Sequence, residues 1–384
     1  MSELSYLEKL LDGVEVEWRN LGDTSLFEIA NNGRKPVKAS LRIAGETPYY
    51  GANNIQDYVD GYTHDGEYVL IAEDGSASLE NYSIQYATGK FWANNHVHVV
   101  RGKERVHSRF LYHYLCIVNF LPFLTGGGRA KLTKGQLIEI PVPIPCPDNP
   151  EKSLAIQSEI VRILDKFTAL TAELTAELTA ELTARKKQYN YYRDQLLSFK
   201  EGEVEWKTLG EVATFRRGTA ITQKQTTPGD IPVVANGPTP TYFHSESNRQ
   251  DETIVIARSG AYAGYVSFWN QPIFLTDAFS VHPNLKIVKP KFLYYVLQNK
   301  QEHIHAMKKG AGVPHVRVKE FESYDVPIPP LAEQVRIVTI LDKFDTLTNS
   351  ITEGLPREIE LRQKQYEYYR DMLFSFPKPD VVEA

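Results

Sequence analysis

A fifteen-residue segment occurs twice in this 384-residue chain, and the repeat restricts the possible folds more than any other feature. The two copies read RKKQYNYYRDQLLSF at 185–199 and RQKQYEYYRDMLFSF at 362–376, and eleven of the fifteen positions are identical. The same offset aligns ILDKF at 163–167 with ILDKF at 340–344. Earlier matches follow in the same order: EVEW at 15–18 and 203–206, then VPIP at 142–145 and 326–329. Because repeats decide the architecture of a chain, we interpret the sequence as an internal duplication.

Between the matched segments lie two regions of different sequence, which we call the first head and the second head. Both contain a short apolar run followed by a glycine-containing turn, EYVLIA at 67–72 and TIVIA at 253–257, and such runs predict strands. Both also contain apolar residues at helical spacing, from Phe110 to Leu121 and from Lys291 to Asn299. This mixture predicts an α+β domain for each head.

A long helical stretch follows each head. Residues 154–199 contain neither proline nor glycine, and their apolar residues recur at three- and four-residue steps along one stripe. The copy at 331–376 contains Gly354-Leu355-Pro356, where we expect a kink or break. A small head cannot cover such a stripe fully, so the two long helices are expected to pack as an antiparallel, coiled-coil-like pair.

The predicted fold class is therefore α+β, with two domains in a tandem pseudo-symmetric repeat separated by two long antiparallel coiled-coil helices. The predicted segments are an N-terminal helical segment at 1–12, the first head at 13–150, the central long helix at 151–200, the second head at 201–330 and the C-terminal long helix at 331–384.

The central helix carries three perfect Thr-Ala-Glu-Leu units at 171–182. Each unit adds about one helical turn, or about 6 Å, so a unit can be gained or lost without breaking the helix. One interpretation is a helical spacer with no role beyond length. The other is that length is the function, because it sets the distance between the heads. The residues assigned to this ruler are Thr171, Leu174, Thr175, Leu178, Thr179 and Leu182.

The composition and the absence of motifs argue against several classes of function. The sequence has no Gly-x-x-x-x-Gly-Lys-Ser/Thr loop for ATP, and no glycine-rich methyl-donor loop stands out. Its two cysteines form neither a disulfide framework nor a zinc site, and no run of about 18 apolar residues occurs. We therefore predict no catalytic residue, metal site or cofactor in this chain. The net charge of −5 argues mildly against an autonomous DNA-binding protein, so segregated basic residues or a partner must supply phosphate contacts.

Four segments carry a resemblance to a known family. They are SYLEKLLDGVEVEW at 5–18, IPCPDNPEKSLAIQSEIVRILDKFTALTAEL at 144–174, RKKQYNYYRDQLLSFKEGEVEWKTLG at 185–210 and ILDKFDTLTNSITEGLPREIELRQKQYEYYRD at 340–371. The chain resembles the specificity subunit of type I restriction–modification enzymes, and most closely the type IC class, whose central helix carries Thr-Ala-Glu-Leu repeats. The heads match this family only in layout.

The resemblance implies a DNA-recognition subunit with no catalytic activity of its own. Each head, as a target-recognition domain, would read one half of a bipartite asymmetric target, and the helices would set the spacer between the halves. The resemblance also implies two modification subunits that bind S-adenosylmethionine, added restriction subunits that use ATP and Mg, and a prokaryotic cytoplasmic location. An alternative from another class is a coiled-coil scaffold or adaptor whose globular heads bind proteins.

Basic, aromatic and glycine residues concentrate in the heads, where arginine and lysine side chains can contact phosphates or base edges. A solvated charged face is the alternative interpretation for each of them. The candidate DNA-contacting residues are Arg101, Arg105, Arg129, Lys131 and Lys134 in the first head, and Arg216, Arg217, Arg258, Tyr262, Lys308, Lys309, Arg317 and Lys319 in the second.

The repeated aromatic segment of the long helices holds more tyrosine than two packed helices need, so part of it is expected to pack on each head or to form a surface for modification subunits. Since the segment occurs twice, it predicts two copies of the same partner related by pseudo-twofold symmetry. The candidate partner-binding residues are Tyr189, Tyr192, Arg193, Tyr366, Tyr369 and Arg370.

Overall fold

The computed structural model describes residues 6–11, 13–126, 130–200, 202–308, 314–350 and 352–377. The chain divides into two compact units, one formed by residues 1–176 together with 360–384 and the other by residues 177–359. Each unit therefore contains one head and parts of both long-helix segments.

The helices are short within the heads and long between and after them. They are α1 (Tyr6–Leu11), α2 (Ser108–Leu115), α3 (Lys134–Leu137), α4 (Pro150–Leu196), α5 (Leu209–Val212), α6 (Pro290–Asn299), α7 (Gln301–Ala306), α8 (Val318–Glu322), α9 (Leu331–Asn349) and α10 (Gly354–Leu373). None of those in the described parts of the chain combines the length and the apolar character that crossing a membrane requires.

The C-terminal long-helix segment is broken between α9 and α10, which confirms the prediction from Gly354-Leu355-Pro356. Gly354 begins α10 with a φ of 79°, a left-handed conformation that glycine adopts without steric cost. A Cβ atom at this position would lie 2.5 Å from the carbonyl oxygen of Thr346, so no other residue fits without movement. The central segment contains no such residue and forms the single helix α4.

The first head contains two four-stranded sheets and a two-stranded ribbon. Its strands are β1 (Val16–Asn20), β2 (Phe27–Ile29), β3 (Ala44–Tyr50), β4 (Ile55–Val59), β5 (His64–Asp65), β6 (Tyr68–Ala72), β7 (Ile84–Ala87), β8 (Lys90–Ala93), β9 (Val97–Gly102) and β10 (Pro141–Pro145). The sheets have the orders β2-β9-β6-β7 and β4-β3-β8-β5, and β1 pairs with β10.

The second head repeats this arrangement almost strand for strand. Its strands are β11 (Glu205–Thr208), β12 (Ala213–Arg217), β13 (Ile231–Val234), β14 (Tyr242–His244), β15 (Thr253–Ala257), β16 (Val266–Trp269), β17 (Phe274–Leu275), β18 (Ala278–Pro283) and β19 (Asp325–Ile328). The orders are β12-β18-β15-β16 and β14-β13-β17, with the ribbon β11-β19. Two heads of different sequence therefore share one topology, and within the described residues only β5 lacks a counterpart.

The predicted strands EYVLIA and TIVIA form the buried centres of the two heads, as β6 and β15. Successive side chains of a strand point to opposite faces of the sheet. In β6, Val69 and Ile71 accordingly pack with Phe110 of α2, whereas Leu70 packs with Phe91 of the second sheet. Each head therefore has a helix on one face of its central sheet and a second sheet on the other.

The two outer matched segments of each repeat pair with one another. Strand β1 and strand β10 form an antiparallel ribbon in which Trp18 lies opposite Pro143. Strands β11 and β19 form the same ribbon, with Trp206 opposite Pro327. A two-stranded ribbon tolerates prolines because their missing N–H groups can face away from the partner strand. The repeated sequence thus closes the base of each head.

The first part of α4 runs antiparallel to the last part of α10 within the first unit. Phe167 stacks on Tyr369 with 5.3 Å between ring centroids. One residue later on α4, Thr168 Oγ1 donates to Tyr366 Oη, which lies three residues earlier on α10, at 3.1 Å. The predicted antiparallel packing of the two long segments is therefore present in this unit.

A buried glutamine on each long helix holds the adjoining head through backbone hydrogen bonds. In the first unit, Gln157 Oε1 accepts from His107 N at 2.8 Å, and its Nε2 donates to Arg105 O at 3.2 Å. In the second unit, Gln334 Oε1 accepts from Lys289 N at 2.8 Å, and its Nε2 donates to Ile287 O at 3.0 Å. Gln157 and Gln334 occupy equivalent positions of the repeat. We call these two connections the head joints.

An aspartate two turns further along completes each head joint, but its partners differ. Asp165 Oδ1 accepts from Arg109 Nε at 3.0 Å and lies 2.7 Å from His113 Nε2. Asp342 Oδ1 accepts from Tyr295 Oη at 2.5 Å and lies 3.1 Å from Lys291 Nζ. The helix side of the joint is the same in both units, while the side chains that meet it from α2 and α6 have diverged.

Candidate nucleic-acid interface

Three candidate DNA contacts of the second head converge at the end of strand β15. Arg258 follows this strand, and its carbonyl oxygen accepts a hydrogen bond from Val316 N at 2.9 Å. Arg217 ends strand β12 in the same sheet, and Arg317 directly precedes α8. The fold thus brings three arginines that are far apart in sequence to one cleft of about 460 Å³. The cleft, which we call the arginine cleft, is lined by Arg217, Arg258, Ser259, Phe279, His315, Val316, Arg317 and Val318.

Arg258 is held in the arginine cleft by a network of side chains. Its Nη2 donates to Asp277 Oδ1 at 2.7 Å, and Asp277 Oδ2 accepts from Asn236 Nδ2 at 2.8 Å. Asn236 Oδ1 in turn accepts from the backbone N of Arg258 at 2.7 Å. A guanidinium group fixed at one edge loses little further conformational entropy when its other edge meets a ligand.

A further arginine braces the strand that carries Arg216 and Arg217. Arg249 Nη2 donates to the carbonyl oxygens of Arg216 at 3.3 Å and Arg217 at 3.1 Å, and its Nε donates to Ser280 Oγ at 2.8 Å. Burial, followed by the charge of Arg216, lowers the pKa of Arg249. Burial, followed by the charges of Arg216 and Arg249, lowers the pKa of His282 to about 4. This edge of the sheet is therefore strongly positive.

We call the end of the central strand, where the final loop of the head bonds to it, the corner of each head. In the first head, the residue at this corner is a carboxylate. Glu73 follows strand β6, and its carbonyl oxygen accepts from Leu132 N at 2.8 Å. Glu73 Oε2 lies 2.6 Å from Arg34 Nη1, and Glu73 Oε1 lies 3.0 Å from Lys131 Nζ. Partial burial raises the pKa of Glu73, but hydrogen bonds from Arg34 and Lys131 outweigh this effect and leave it lowered. Lys131, a candidate DNA contact, is thus engaged by an acidic residue of its own head.

The other candidates of the first head are also engaged or lie apart. Arg101 Nε pairs with Glu28 Oε2 at 2.6 Å, and its guanidinium lies 4.9 Å from the centre of the Tyr68 ring. Arg105 donates to the carbonyl oxygen of Pro147. Lys134 is exposed at the start of α3. Arg129 lies outside the described residues.

The remaining candidates of the second head do not line the arginine cleft. Tyr262 is 50% exposed in the turn after β15. Lys308 Nζ donates to Ala261 O at 3.3 Å, and Lys319 is exposed on α8. Arg216, exposed on β12, precedes a cleft residue by one position and so lies on the opposite face of the strand. Lys309 lies outside the described residues.

The ruler residues all lie within α4. Leu174, Leu178 and Leu182 are half-buried, as are Thr171 and Thr175, whereas Thr179 is exposed. The repeat is therefore helical throughout.

One of the candidate partner-binding tyrosines is buried inside its own unit, which corrects the sequence interpretation for that residue. Tyr189 is only 6% exposed and belongs to the core of the second unit. Tyr192 stacks on Phe344 with 5.7 Å between ring centroids, in the same way that Tyr369 stacks on an equivalent phenylalanine in the first unit. Tyr366 is half-buried. Because Tyr189 is buried, it cannot belong to an exposed partner surface.

The two candidate arginines of the helices each pair with the aspartate that follows them. Arg193 Nη2 lies 3.0 Å from Asp194 Oδ1, and Arg370 Nη2 lies 3.0 Å from Asp371 Oδ1. Their guanidinium groups lie over the rings of Tyr189 and Tyr366. The most exposed tyrosines of the repeat are instead Tyr191 at 62% and Tyr368 at 66%, which belong to the same aromatic segment but are not among the candidate residues.

A family model described as the type I restriction modification DNA specificity domain matches residues 14–184 and 201–361, one match for each repeat. The chain belongs to this type I DNA-specificity family. A putative type I restriction enzyme specificity subunit from Haemophilus influenzae is 50% identical over 97% of this chain and 98% of its own length. The EcoR124I/EcoR124II specificity subunit from Escherichia coli is 40% identical over 100% of both chains. The family predicted from the repeated segments is therefore confirmed.

Solved structures of this family share the fold at low sequence identity. The S subunit of a type I restriction–modification system from M. genitalium has a TM-score of 0.57 and 18% identity, covering 96% of this chain and 98% of that one. A chain from a structural study of type I complex assembly and conformational transition has a TM-score of 0.59 and 15% identity, covering 94% and 98%. As a member of the type I specificity family, this chain serves DNA sequence recognition and is not itself a catalytic subunit.

Proposed function

We propose that each head of this specificity subunit reads one half of a bipartite, asymmetric DNA target. The supporting observation is that two heads with one topology and one kind of head joint present different side chains at equivalent corners, Glu73 in one and Arg258 in the other. Contacts with the phosphate backbone of DNA position a protein, whereas side chains that contact base edges determine which sequence is bound. A common frame with two different surfaces suits the reading of two different half-sites.

Mapping methylated adenines in DNA from cells that express this chain with its modification and restriction partners tests the proposal. The expected motif has two unlike specific halves separated by a spacer. Replacing residues 13–143 by the head of another specificity subunit should change one half only. A change in both halves would contradict independent reading, and complexes that show no preference over random DNA would favour the adaptor alternative.

The Thr-Ala-Glu-Leu units are proposed to set the spacer length. Deleting Thr179–Leu182 removes one unit, and with it about 6 Å of helix. For comparison, one base pair rises about 3.4 Å. If the helices lie oblique to the DNA, the preferred spacer should shorten by about one base pair while both half-sites stay the same. The substitution Thr179→Ala, which keeps the length, is the matched control and should leave the spacer unchanged.

Two copies of a modification subunit are proposed to dock on a repeated, exposed stripe of the long helices. Three residues per copy are identical, exposed and spaced so that they share one helix face. They are Lys187, Tyr191 and Asp194 on α4, and Lys364, Tyr368 and Asp371 on α10. Packing within the chain does not require identity at exposed positions, so a partner that is the same at both copies accounts for it.

The mass of the assembled complex tests this docking surface. Tyr191→Ala should remove one modification subunit and Tyr368→Ala the other, because each truncation removes a large, exposed aromatic contact. The exposed Asn190, which is replaced by Glu367 in the other copy, supplies the matched control Asn190→Ala. If both tyrosine variants retained two modification subunits, the stripe would not be the docking surface.

The chemistry of the complex is assigned to the partner subunits. Under this proposal they bind S-adenosylmethionine, ATP and Mg²⁺, while this chain supplies recognition. The complex is proposed to act in the prokaryotic cytoplasm, together with its restriction subunits.

A further inference from the structure

The charges around the arginine cleft do not balance. Arg217, Arg258 and Arg317 contribute three positive charges, against the carboxylate of Asp277, which pairs with Arg258, and that of Glu320, which accepts a hydrogen bond from the backbone N of Arg317. Neither Arg217 nor Arg317 forms an ion pair with any residue in the described parts of the chain, and both are exposed. Like charges held close together raise the free energy of a protein unless an anion joins them. The cleft is therefore prepared for a negatively charged group.

Arg258 has one buried donor without an acceptor. Its Nη2 is engaged by Asp277, but its Nε is buried and has no hydrogen-bond partner among the described residues. A buried donor left without a partner costs about 1–3 kcal/mol. An anion that enters the cleft beside this guanidinium can accept that hydrogen bond, as well as those of the two exposed arginines.

We propose that the arginine cleft binds a backbone phosphate of the DNA through Arg217, Arg258 and Arg317, and that the equivalent corner of the first head binds none. The guanidinium fork matches the oxygen atoms of a phosphate, and several forks can share one phosphate. In the first head, Glu73 occupies the position of Arg258 and pairs with both Arg34 and Lys131, so each of these basic side chains already has a carboxylate partner. The two heads therefore grip the DNA backbone differently. This inference rests on the proposed function as a DNA reader.

A base contact by these arginines is the competing outcome, and sequence dependence distinguishes the two. A residue that contacts a phosphate affects binding to all sequences alike, whereas a residue that contacts a base edge changes the preferred sequence. The half-site read by the first head remains in the same complex as an internal reference.

The experiment uses the full complex with its modification subunits and compares wild type with the double variant Arg217→Gln/Arg317→Gln. DNA affinity is measured over a range of salt concentrations, and the methylated motif is mapped in parallel. Loss of the phosphate contact should weaken binding about tenfold and reduce the slope of log K against log salt by about one. Both half-sites of the methylated motif should stay unchanged.

Three further variants make the test decisive. Arg217→Lys/Arg317→Lys keeps the two positive charges and should therefore recover most of the salt slope. This recovery would show that the glutamine variant loses binding through its lost charge and not through a folding defect. Arg258→Gln should weaken binding without altering the motif. Lys131→Gln, at the corner of the first head, is the matched control. It should change DNA affinity less than about twofold, because the Lys131 ammonium group is already paired with Glu73.

Two results would overturn the proposal: an altered second half-site, which indicates base contact, or an unchanged salt slope, which indicates no contact. Failure of the proposed function gives a different result. In that case the wild-type complex itself shows no sequence preference, while the difference in salt slope between wild type and variant still reports on the cleft.

Discussion

In both heads, the residue that follows the central buried strand accepts a backbone hydrogen bond from the final loop of the head. This residue is Glu73 in the first head, bonded by Leu132 N at 2.8 Å, and Arg258 in the second, bonded by Val316 N at 2.9 Å. At Glu73 one carboxylate pairs with two basic side chains, whereas Arg258 is itself basic, pairs with Asp277 and shares its cleft with two further arginines. The same backbone position therefore carries residues of opposite charge in the two heads.

This difference shows which residues of the two duplicated units are free to diverge in sequence. The corner is held together by backbone groups, which every residue except proline supplies in full. The residue at this position can therefore change without loss of the backbone hydrogen bond. The head joints use the side chains of Gln157 and Gln334 instead, and these have remained the same. The glutamines whose side chains form the head joints are thus the same in both units, whereas the residue held through its backbone at the end of the central strand differs.

The largest effect is expected from Glu73→Gln, which removes the charge at the centre of the first corner. Arg34, with 18% of its side chain exposed, would lose its carboxylate partner. Removing one member of a largely buried ion pair leaves an uncompensated charge, which costs about 3 kcal/mol. The free energy of unfolding, measured by denaturant titration of the first unit's transition, should fall by this amount.

The matched variant in the second head is Asp277→Asn. The Asp277 side chain is 49% exposed, so water compensates much of what its ion pair contributes. The expected loss is below about 1 kcal/mol. Equal losses for the two variants would mean that the corners do not differ in energy as their burial indicates.

A smaller and equal effect is expected at the two head joints. Gln157→Leu and Gln334→Leu each leave a backbone N–H and carbonyl groups of the head buried without their partner. The cost should be about 2 kcal/mol in each case. The control is Gln195→Leu at an exposed position near the end of α4, where the change should be close to zero.

Unequal losses at Gln157 and Gln334 would indicate that one head depends on its joint more than the other. The shared frame would then be less symmetric than the repeated residues indicate. Denaturant titrations of the two variants under the same conditions give this comparison directly.

The buried strands and the long helices could be predicted from the sequence because their signals lie within short stretches of neighbouring residues. The apolar runs at 67–72 and 253–257 are buried strands, and the glycine and proline of Gly354-Leu355-Pro356 break the helix where expected. The antiparallel helix packing followed from an apolar stripe that a head could not cover. Each of these features depends on neighbouring residues.

The candidate site was harder to predict, because it depends on residues brought together by the sheet order. Asp277 meets Arg258 only because β18 lies beside β15. The acidic partners of Arg101 and Lys131, which are Glu28 and Glu73, are equally remote in sequence. A list of basic residues therefore could not separate charges that are available from charges already neutralised. One sequence signal does point to this region, because Ala-Asn occurs at 52–53 and again at 235–236. Both asparagines form hydrogen bonds with the backbone after the central strand of their head, Asn53 with Gly75 and Asn236 with Arg258.

Repetition also misled the choice of partner residues. Tyr189, Tyr191 and Tyr192 are all repeated, and the sequence alone does not tell which face of the helix is covered. Residues three apart share a face, so Tyr189 and Tyr192 both pack against Phe344 while Tyr191 points away. The most exposed of the three, Tyr191, is therefore the one that is not among the candidate residues.

The smallest expected effect is on the pH dependence of the unfolding free energy. The two head joints should differ in it because one contains His113 where the other contains Tyr295. His113 is 2% exposed, and burial lowers its pKa from the ordinary value of 6.5 despite its contact with Asp165. Below pH 6.5 the unfolded chain then binds more protons than the folded chain, so stability falls as pH falls, by at most about 1.4 kcal/mol per pH unit. Burial, together with Asp342, raises the pKa of Tyr295, which therefore does not titrate in this range.

His113→Tyr makes the first joint resemble the second and tests this reasoning. The unfolding free energy of the first unit should lose less between pH 7 and pH 5.5 in the variant than in the wild type, because one group that takes up a proton on unfolding is gone. The lowered pKa of Asp165 does not contribute in this window, since its stabilisation is lost only as pH falls below about its ordinary value of 3.8. His98, buried in the same head with a lowered pKa, is present in both proteins and cancels in the difference. An identical pH dependence in variant and wild type would show that the pKa of His113 is the same in the folded and the unfolded chain, and the lowering expected from its burial would then be wrong.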